Sequence, residues 1–153
     1  MRIILLIILF LFPFSLEGEA SYGESNHQFQ FSVVPIVGSE TVKFELFIKN
    51  NEESPLNFEF PTSQYYEITV TDQSGHEVYR YSKGRFFLQA LQTIKIEPHK
   101  TYRKVELWDY QLHGKRVPAG EYIVSATLLP RKINDKPISN NQTLLSKTKF
   151  TLQ

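Results

Sequence analysis

The feature that most constrains this chain is a period-two alternation of apolar and polar side chains. Val42, Phe44, Leu46 and Ile48 alternate with Lys43, Glu45 and Lys49. Successive side chains of an extended strand point to opposite faces, so this spacing gathers every apolar group on one side. The pattern returns at Leu56, Phe58 and Phe60, at Tyr66, Ile68 and Val70, and at Ile94 and Ile96. It returns again at Val105 and Leu107, at Tyr122, Val124, Ala126 and Leu128, and at Thr148, Phe150 and Leu152. Turn formers separate the runs: residues 50–55 read Asn-Asn-Glu-Glu-Ser-Pro, and Asp72-Gln73-Ser74-Gly75 leads directly into residues 76–81 as a hairpin. Glu97-Pro98-His99-Lys100 and Pro118-Ala119-Gly120 turn the chain later on. Only residues 86–91, with Phe87, Ala90 and Leu91 at helical spacing, break the pattern, reading as a single helical turn or a buried crossing loop. Such a chain buries its apolar faces by stacking sheets. The expected fold is all-β, an antiparallel immunoglobulin-like β-sandwich of about eight or nine short strands.

Composition agrees and excludes several function classes. A chain of 153 residues suits one domain. Twelve Phe and 8 Tyr supply core that a disordered chain lacks. With no cysteine, neither a disulfide framework nor a thiolate metal site can form. Lys plus Arg number 17 against 16 for Asp plus Glu, a balance too even to recruit nucleic acid.

Residues 1–20 read as a signal peptide: Met1-Arg2, an apolar run over 3–12, Pro13-Phe14, and a small-residue site at Gly18-Glu19-Ala20. The run is shorter than the ~20 residues that span a bilayer, so no transmembrane anchor is expected once the segment is cleaved. Residues 21–28 form a polar lead-in and 29–153 the folded domain. The expected location is secreted or associated with the cell wall. Asn141-Gln142-Thr143 has the form of a glycosylation sequon, which carries no meaning in a bacterial protein.

Catalytic signatures do not emerge. The chain holds no Gly-x-Ser-x-Gly elbow, no Walker loop and no glycine-rich dinucleotide turn. His76-Glu77 begins like a zinc-protease motif, but Arg80 occupies the place of its second histidine. His27, His76, His99 and His113 lie scattered beside turns, and Glu52-Glu53 reads as a solvated turn. No catalytic residue, metal or cofactor is implied, and nothing in the chain speaks to an oligomeric state.

Two clusters carry the remaining signal. Residues 79–87 read Tyr-Arg-Tyr-Ser-Lys-Gly-Arg-Phe-Phe, cations among aromatics around one glycine. Arginine and aromatic side chains concentrate interface energy, so this segment is material for docking a protein surface. Composition alone favours the plainer reading, with Tyr79, Tyr81 and Phe87 packed and Lys83 and Arg85 solvating a loop. Trp108-Asp109-Tyr110 reads as a core anchor with Asp109 capping its turn, or as a sugar-stacking platform. Tyr122 reads as a packing residue at the sandwich edge whose hydroxyl bonds nearby backbone.

Several segments resemble the BsuPI-type intracellular proteinase inhibitor domain of Gram-positive bacilli. They are residues 44–50, Phe58-Glu59-Phe60, Gln64-Tyr65-Tyr66-Glu67-Ile68, Tyr79-Arg80-Tyr81-Ser82-Lys83, Phe87 with Gln89-Ala90, and Pro118-Ala119-Gly120-Glu121-Tyr122. The resemblance runs in order over residues 30–129. It implies an all-β, non-enzymatic inhibitor of a serine protease of the subtilisin class, and supplies no inhibitory residue. We place the docking loop on Ser82, Lys83, Gly84, Arg85 and Phe86. The family works inside the cell, whereas residues 1–20 read as an export signal, so an exported inhibitor would meet its protease outside. The alternative is an envelope-associated module that holds a protein or wall polymer without inhibiting any protease. Residues 130–142, with Arg131, Lys132 and Lys136, lie outside the resemblance and read as a solvated polar loop.

Overall fold

The computed structural model describes residues 22–23, 25–26, 28–138 and 144–153. The segment read as a signal peptide, His27 and the sequon at Asn141 lie outside the described residues. Among those described, every regular element is a strand. The principal ones are β1 (Phe29–Val37), β2 (Val42–Asn50), β3 (Leu56–Phe60), β4 (Tyr66–Asp72), β5 (Glu77–Arg80), β6 (Gln92–Ile96), β7 (Thr101–Trp108), β8 (Gly120–Leu128) and β9 (Leu145–Leu152).

One sheet runs β9-β8-β4-β5, a second β1-β2-β7, and a smaller one joins β3 to β6, all antiparallel. The alternation read from the sequence sets the register. Val33 opposes Leu46 on the second sheet, and Val124 lies between Val70 and Thr148 on the first. The inward faces meet in one core that includes Phe44, Ile68, Val70 and Val124, each with 0% exposure. Phe44 of β2 meets Phe150 of β9 edge to face at 6.0 Å, tying the two larger sheets. Phe29 meets Phe58 at 5.1 Å, tying in the small one.

Polar side chains fasten the seams. The buried Ser146 hydroxyl of β9 accepts the Val33 N–H at 3.1 Å, and the Thr148 hydroxyl donates to the Val33 carbonyl at 2.8 Å. Asn50, with 0% exposure, ends β2. Its amide nitrogen donates to the carbonyls of Ser54, Ile96 and Glu97 at 2.9, 3.0 and 3.2 Å, and its amide oxygen accepts the Glu52 N–H at 2.8 Å. One side chain thus ties the turn after β2 to the end of β6. At the far end the Tyr122 hydroxyl donates to the Pro118 carbonyl at 2.7 Å, as its position beside Gly120 suggested.

Four features differ from the sequence reading or extend it. Residues 86–91 form no helix, and the crossing they belong to is largely exposed rather than buried. Val105 and Leu107 share a side, but it is the solvent side, where they are 37% and 58% exposed. The stretch read as a solvated loop from residue 130 instead starts with a ribbon, Lys132–Ile133 against Lys136–Pro137, and its first strand pairs with β3. Asn134 and Asp135 turn that ribbon at φ 48° and 62°, a hairpin conformation that Asn and Asp tolerate better than other side chains. Finally, the lead-in joins the sheets: Tyr22–Gly23 pairs with β9, and Ser25–Asn26 with β1.

Candidate functional site

The chain leaves the first sheet at β5, which is that sheet's edge strand, and re-enters the small sheet at β6. The crossing between them passes β7, the edge strand of the second sheet, where Arg85 reaches Glu106. The docking residues read from the sequence, Ser82, Lys83, Gly84, Arg85 and Phe86, form the outer part of this crossing.

Its start is fixed by backbone bonds. The Tyr81 N–H reaches the Ile68 carbonyl at 2.8 Å, and the Arg85 N–H closes a turn on the Ser82 carbonyl at 3.1 Å. Gly84 lies inside that turn with φ 75°, a region costly for any residue carrying a Cβ. The Ser82 N–H is taken by Oε1 of Glu67 at 3.1 Å, an oxygen that also accepts the Ile68 N–H at 3.1 Å. Gln64 donates to the other oxygen at 3.2 Å. The far end is fixed by Ser63, whose hydroxyl accepts the Leu88 N–H at 2.9 Å and whose own N–H reaches the Leu88 carbonyl at 3.0 Å.

Side chains fasten the middle. The Arg85 guanidinium lies 4.2 Å from the centre of the Tyr81 ring and 3.5 Å from the Glu106 carboxylate. Glu106 also accepts a hydrogen bond from the Tyr66 hydroxyl at 2.6 Å. Burial, and then that bond, push the Tyr66 hydroxyl well above the ordinary tyrosine range, and burial pushes Tyr79 up as well. Both stay neutral near pH 7, so Arg85 meets a single negative charge. Each contact is modest, about 0.5–1 kcal/mol for an exposed cation over a ring and up to about 1 kcal/mol for a surface ion pair. Together they suffice to orient one side chain.

Inside, Tyr81 packs on Tyr66 at 5.1 Å and on Phe87 at 5.8 Å. Outside, Phe86 is fully exposed, at 102%, with Leu88 at 65% and Leu91 at 57%. Residues 79–87 divide between inner and outer positions. Tyr79, Tyr81 and Phe87 pack, while Phe86 projects. Lys83 is exposed, and Arg85 is drawn back against Tyr81 and Glu106. Sequence reasoning missed the tethers Ser63, Glu67 and Glu106. Glu106 left a trace, since it falls on the same strand face as the core residue Trp108.

The other candidates are structural. Trp108 is 3% exposed and Tyr110 0%, so no ring face is open to a sugar. Trp108 donates its indole N–H to the Gln111 carbonyl at 3.2 Å, and Asp109 accepts the Gln111 N–H at 3.2 Å, capping the turn. His76 sits 3.3 Å from Asp72, and His99 3.0 Å from Glu53. Among the described residues, no cluster of His, Asp and Glu could hold a metal, and no helix is long and apolar enough to cross a membrane.

The family model for the BsuPI intracellular proteinase inhibitor matches residues 29–133, from the first residue of β1 through the Lys132–Ile133 strand. No curated protein matches the chain. Among solved structures, a β-glucosidase from Erythrobacter marinus is similar over 82% of this chain and 16% of its own, at 16% identity and a TM-score of 0.40. A penta-haem cytochrome c552 from Thermochromatium tepidum covers 82% of this chain and 40% of its own, at 12% identity and a TM-score of 0.43. A protein from Archaeoglobus fulgidus covers 80% and 95%, at 12% identity and a TM-score of 0.39. The chain thus spans well under half the length of the first two. The family match overturns the secreted or wall-associated location read from residues 1–20, because the matched family is named for an intracellular inhibitor. An apolar run after Met1-Arg2 is a compositional signal, and no described residue carries support for it. The match extends through every strand that builds the tethered crossing, and on that ground the chain belongs to the BsuPI family of intracellular proteinase inhibitors.

Proposed function

We propose that this chain inhibits a serine protease of the subtilisin class by docking the loop of Ser82, Lys83, Gly84, Arg85 and Phe86 against it, without catalysis of its own. The observation that carries the reading is a fully exposed Phe86 between two tethered loop ends. Exposing an aromatic ring gives the folded chain no stability, whereas burying one at an interface is among the largest single contributions to binding. A protease cleft grips an extended segment, and ordering such a segment on binding costs about 0.5–1.5 kcal/mol per immobilised side chain. Here Glu67, Ser63 and Glu106 have already ordered much of it. The family membership supports a protease as partner, and the even charge balance gives no pull toward nucleic acid.

The test is titration of the purified chain against a subtilisin-type protease, beside a Lys83→Ala/Arg85→Ala/Phe86→Ala variant of matched thermal stability. Stoichiometric loss of protease activity with the wild-type chain, and none with the variant, is the expected result. No inhibition by the wild-type chain overturns the function. Full inhibition by the folded triple variant overturns the placement of the docking loop.

A further inference from the structure

The docking loop contains two kinds of side chain that a protease could select. Lys83 and Arg85 suit an acidic pocket, and Phe86 suits an apolar one. Geometry separates them. The Arg85 guanidinium is held by the Tyr81 ring at 4.2 Å and by Glu106 at 3.5 Å, so presenting it to a pocket means breaking both contacts. Lys83 sits in a turn, its N–H bonded to the Arg80 carbonyl at 3.2 Å, and the next residue, Gly84, has φ 75°. A protease reads its substrate as an extended strand, and a turned backbone does not fit that groove. From Phe86 to Gln89 the backbone has no positive φ and forms no helix, turn or bend. Phe86 alone combines an untethered side chain, full exposure and a non-turn backbone. Its neighbours on both sides are anchored, Arg85 by Glu106 and Phe87 against Tyr81, so the ring is aimed rather than merely loose.

We infer that Phe86 is the specificity-determining side chain of this inhibitor and enters the primary pocket of its target, which is therefore a protease with a wide, uncharged pocket for large apolar residues. The inference rests on the docking reading above and narrows it. Arg85 acts as a positioning residue, holding the segment at the orientation that projects Phe86. Leu88, on the same outer side two residues on, contributes a smaller apolar contact. An acidic-pocket protease of the trypsin type finds no available cation at this position.

Three chains decide it: wild type, Phe86→Ala and Phe86→Lys, each assayed against a subtilisin-type and a trypsin-type protease with thermal unfolding as the folding control. Phe86 touches no core residue, so all three are expected to unfold at the same temperature. Truncating a central interface aromatic weakens binding by about 30-fold or more. Phe86→Ala is expected to raise the inhibition constant for the subtilisin-type enzyme by that factor, and Phe86→Lys to create inhibition of the trypsin-type one. Wild-type inhibition with an unchanged constant for Phe86→Ala overturns this inference while leaving the docking reading intact. Wild-type inhibition of the trypsin-type enzyme in preference to the other overturns it in favour of Lys83 or Arg85. A wild-type chain that inhibits neither enzyme removes both readings together. As a positioning residue, Arg85 carries a distinct signature: Arg85→Ala weakens inhibition of the subtilisin-type enzyme without changing which protease is preferred.

Discussion

Replacing Asn50 with leucine should destabilise the fold more than any other single polar substitution in the described chain. The side chain is fully buried, and its partners fix its orientation. Three of them are carbonyls, which only accept, so the amide nitrogen must face them, and the Glu52 N–H fixes the oxygen. Leucine matches the volume and removes every one of these bonds. The Ile96 carbonyl lies in the buried part of the site and loses a partner it cannot replace with water, at a cost of about 1–3 kcal/mol. The groups on Ser54, Glu97 and Glu52 are part-buried, and about 1 kcal/mol each is appropriate. The sum is about 4–6 kcal/mol, a large share of the roughly 5–15 kcal/mol that holds a typical domain together. Urea unfolding followed by Trp108 fluorescence measures it, as a lower midpoint at unchanged slope. Asn50→Asp gives a second, independent sign. A carboxylate aimed at three carbonyls is repelled and desolvated, so its folded pKa rises above the unfolded value of about 3.9. The folded variant then binds more protons than the unfolded one, and Asn50→Asp should regain stability as pH falls from 7 toward 5. A leucine variant within about 1 kcal/mol of wild type, or an aspartate variant that weakens on acidification, would refute the reasoning.

Other substitutions probe the remaining seams and tethers. Tyr122→Phe removes only the hydroxyl that reaches Pro118 at 2.7 Å, and chemical unfolding should show a loss of about 1–2 kcal/mol. Ser146→Ala with Thr148→Val strips the side-chain partners from the N–H and the carbonyl of Val33, and hydrogen exchange should lose protection first at the Val33 amide. Glu45 is held below its ordinary pKa of 4.5, first by the Arg103 guanidinium and then by Lys43. A lowered folded pKa means stability present above the unfolded value and lost as pH falls through the folded one. Glu45→Gln should therefore flatten the acid limb of the stability–pH curve and leave the alkaline limb unchanged. Leu107→Lys exchanges a side chain that is 58% exposed and should shift stability by no more than about 0.5 kcal/mol, measured by thermal unfolding.

The strands were legible because alternation is a local property that survives into the fold. The alternating apolar positions Val42, Phe44, Leu46 and Ile48, Leu56, Phe58 and Phe60, Tyr66, Ile68 and Val70, and Tyr122, Val124, Ala126 and Leu128 are all buried in the core. The ribbon at Lys132–Ile133 was hidden because its strands are only two residues long, too short for any period to show. Its one available signal was the adjacent Asn134 and Asp135, a pair suited to positive φ. The outward side of Val105 and Leu107 was hidden for another reason. Alternation states which residues share a face and says nothing about which face is covered. On this edge strand the opposite face carries Tyr102, Lys104, Glu106 and Trp108, a mixed set in which Trp108 is buried and Lys104 exposed. At the candidate site, composition singled out residues 79–87 but could not say which of their side chains pack and which project. Lys83, Arg85 and Phe86 differ in exposure and contacts: Arg85 meets the nearby Tyr81 ring and, across a long sequence separation, Glu106, whereas Phe86 stays exposed.

The crossing is exposed for a reason that belongs to the topology. β5 ends at the edge of one sheet and β6 begins in another, so the connecting chain must cross between sheets, and it does so past β7. A connection there has two tasks with opposite demands. It must shield Tyr66 and the core behind it, which calls for aromatic side chains, and it must keep its own backbone groups hydrated or paired. The chain meets the first with Tyr81 and Phe87, both turned inward, and the second with bonds to Glu67 and Ser63. Phe87 turns inward while its neighbours Phe86 and Leu88 are exposed, so the three alternate across the crossing. The exposed ring is thus a geometric companion of the buried one, and its tethers are those the core already requires. Losing the inner partner should consequently cost function as well as stability: Phe87→Ala, measured at a temperature where the fold is intact, is expected to weaken inhibition by loosening the aim of Phe86. Undiminished inhibition by that variant would show that the two sides of the crossing are independent.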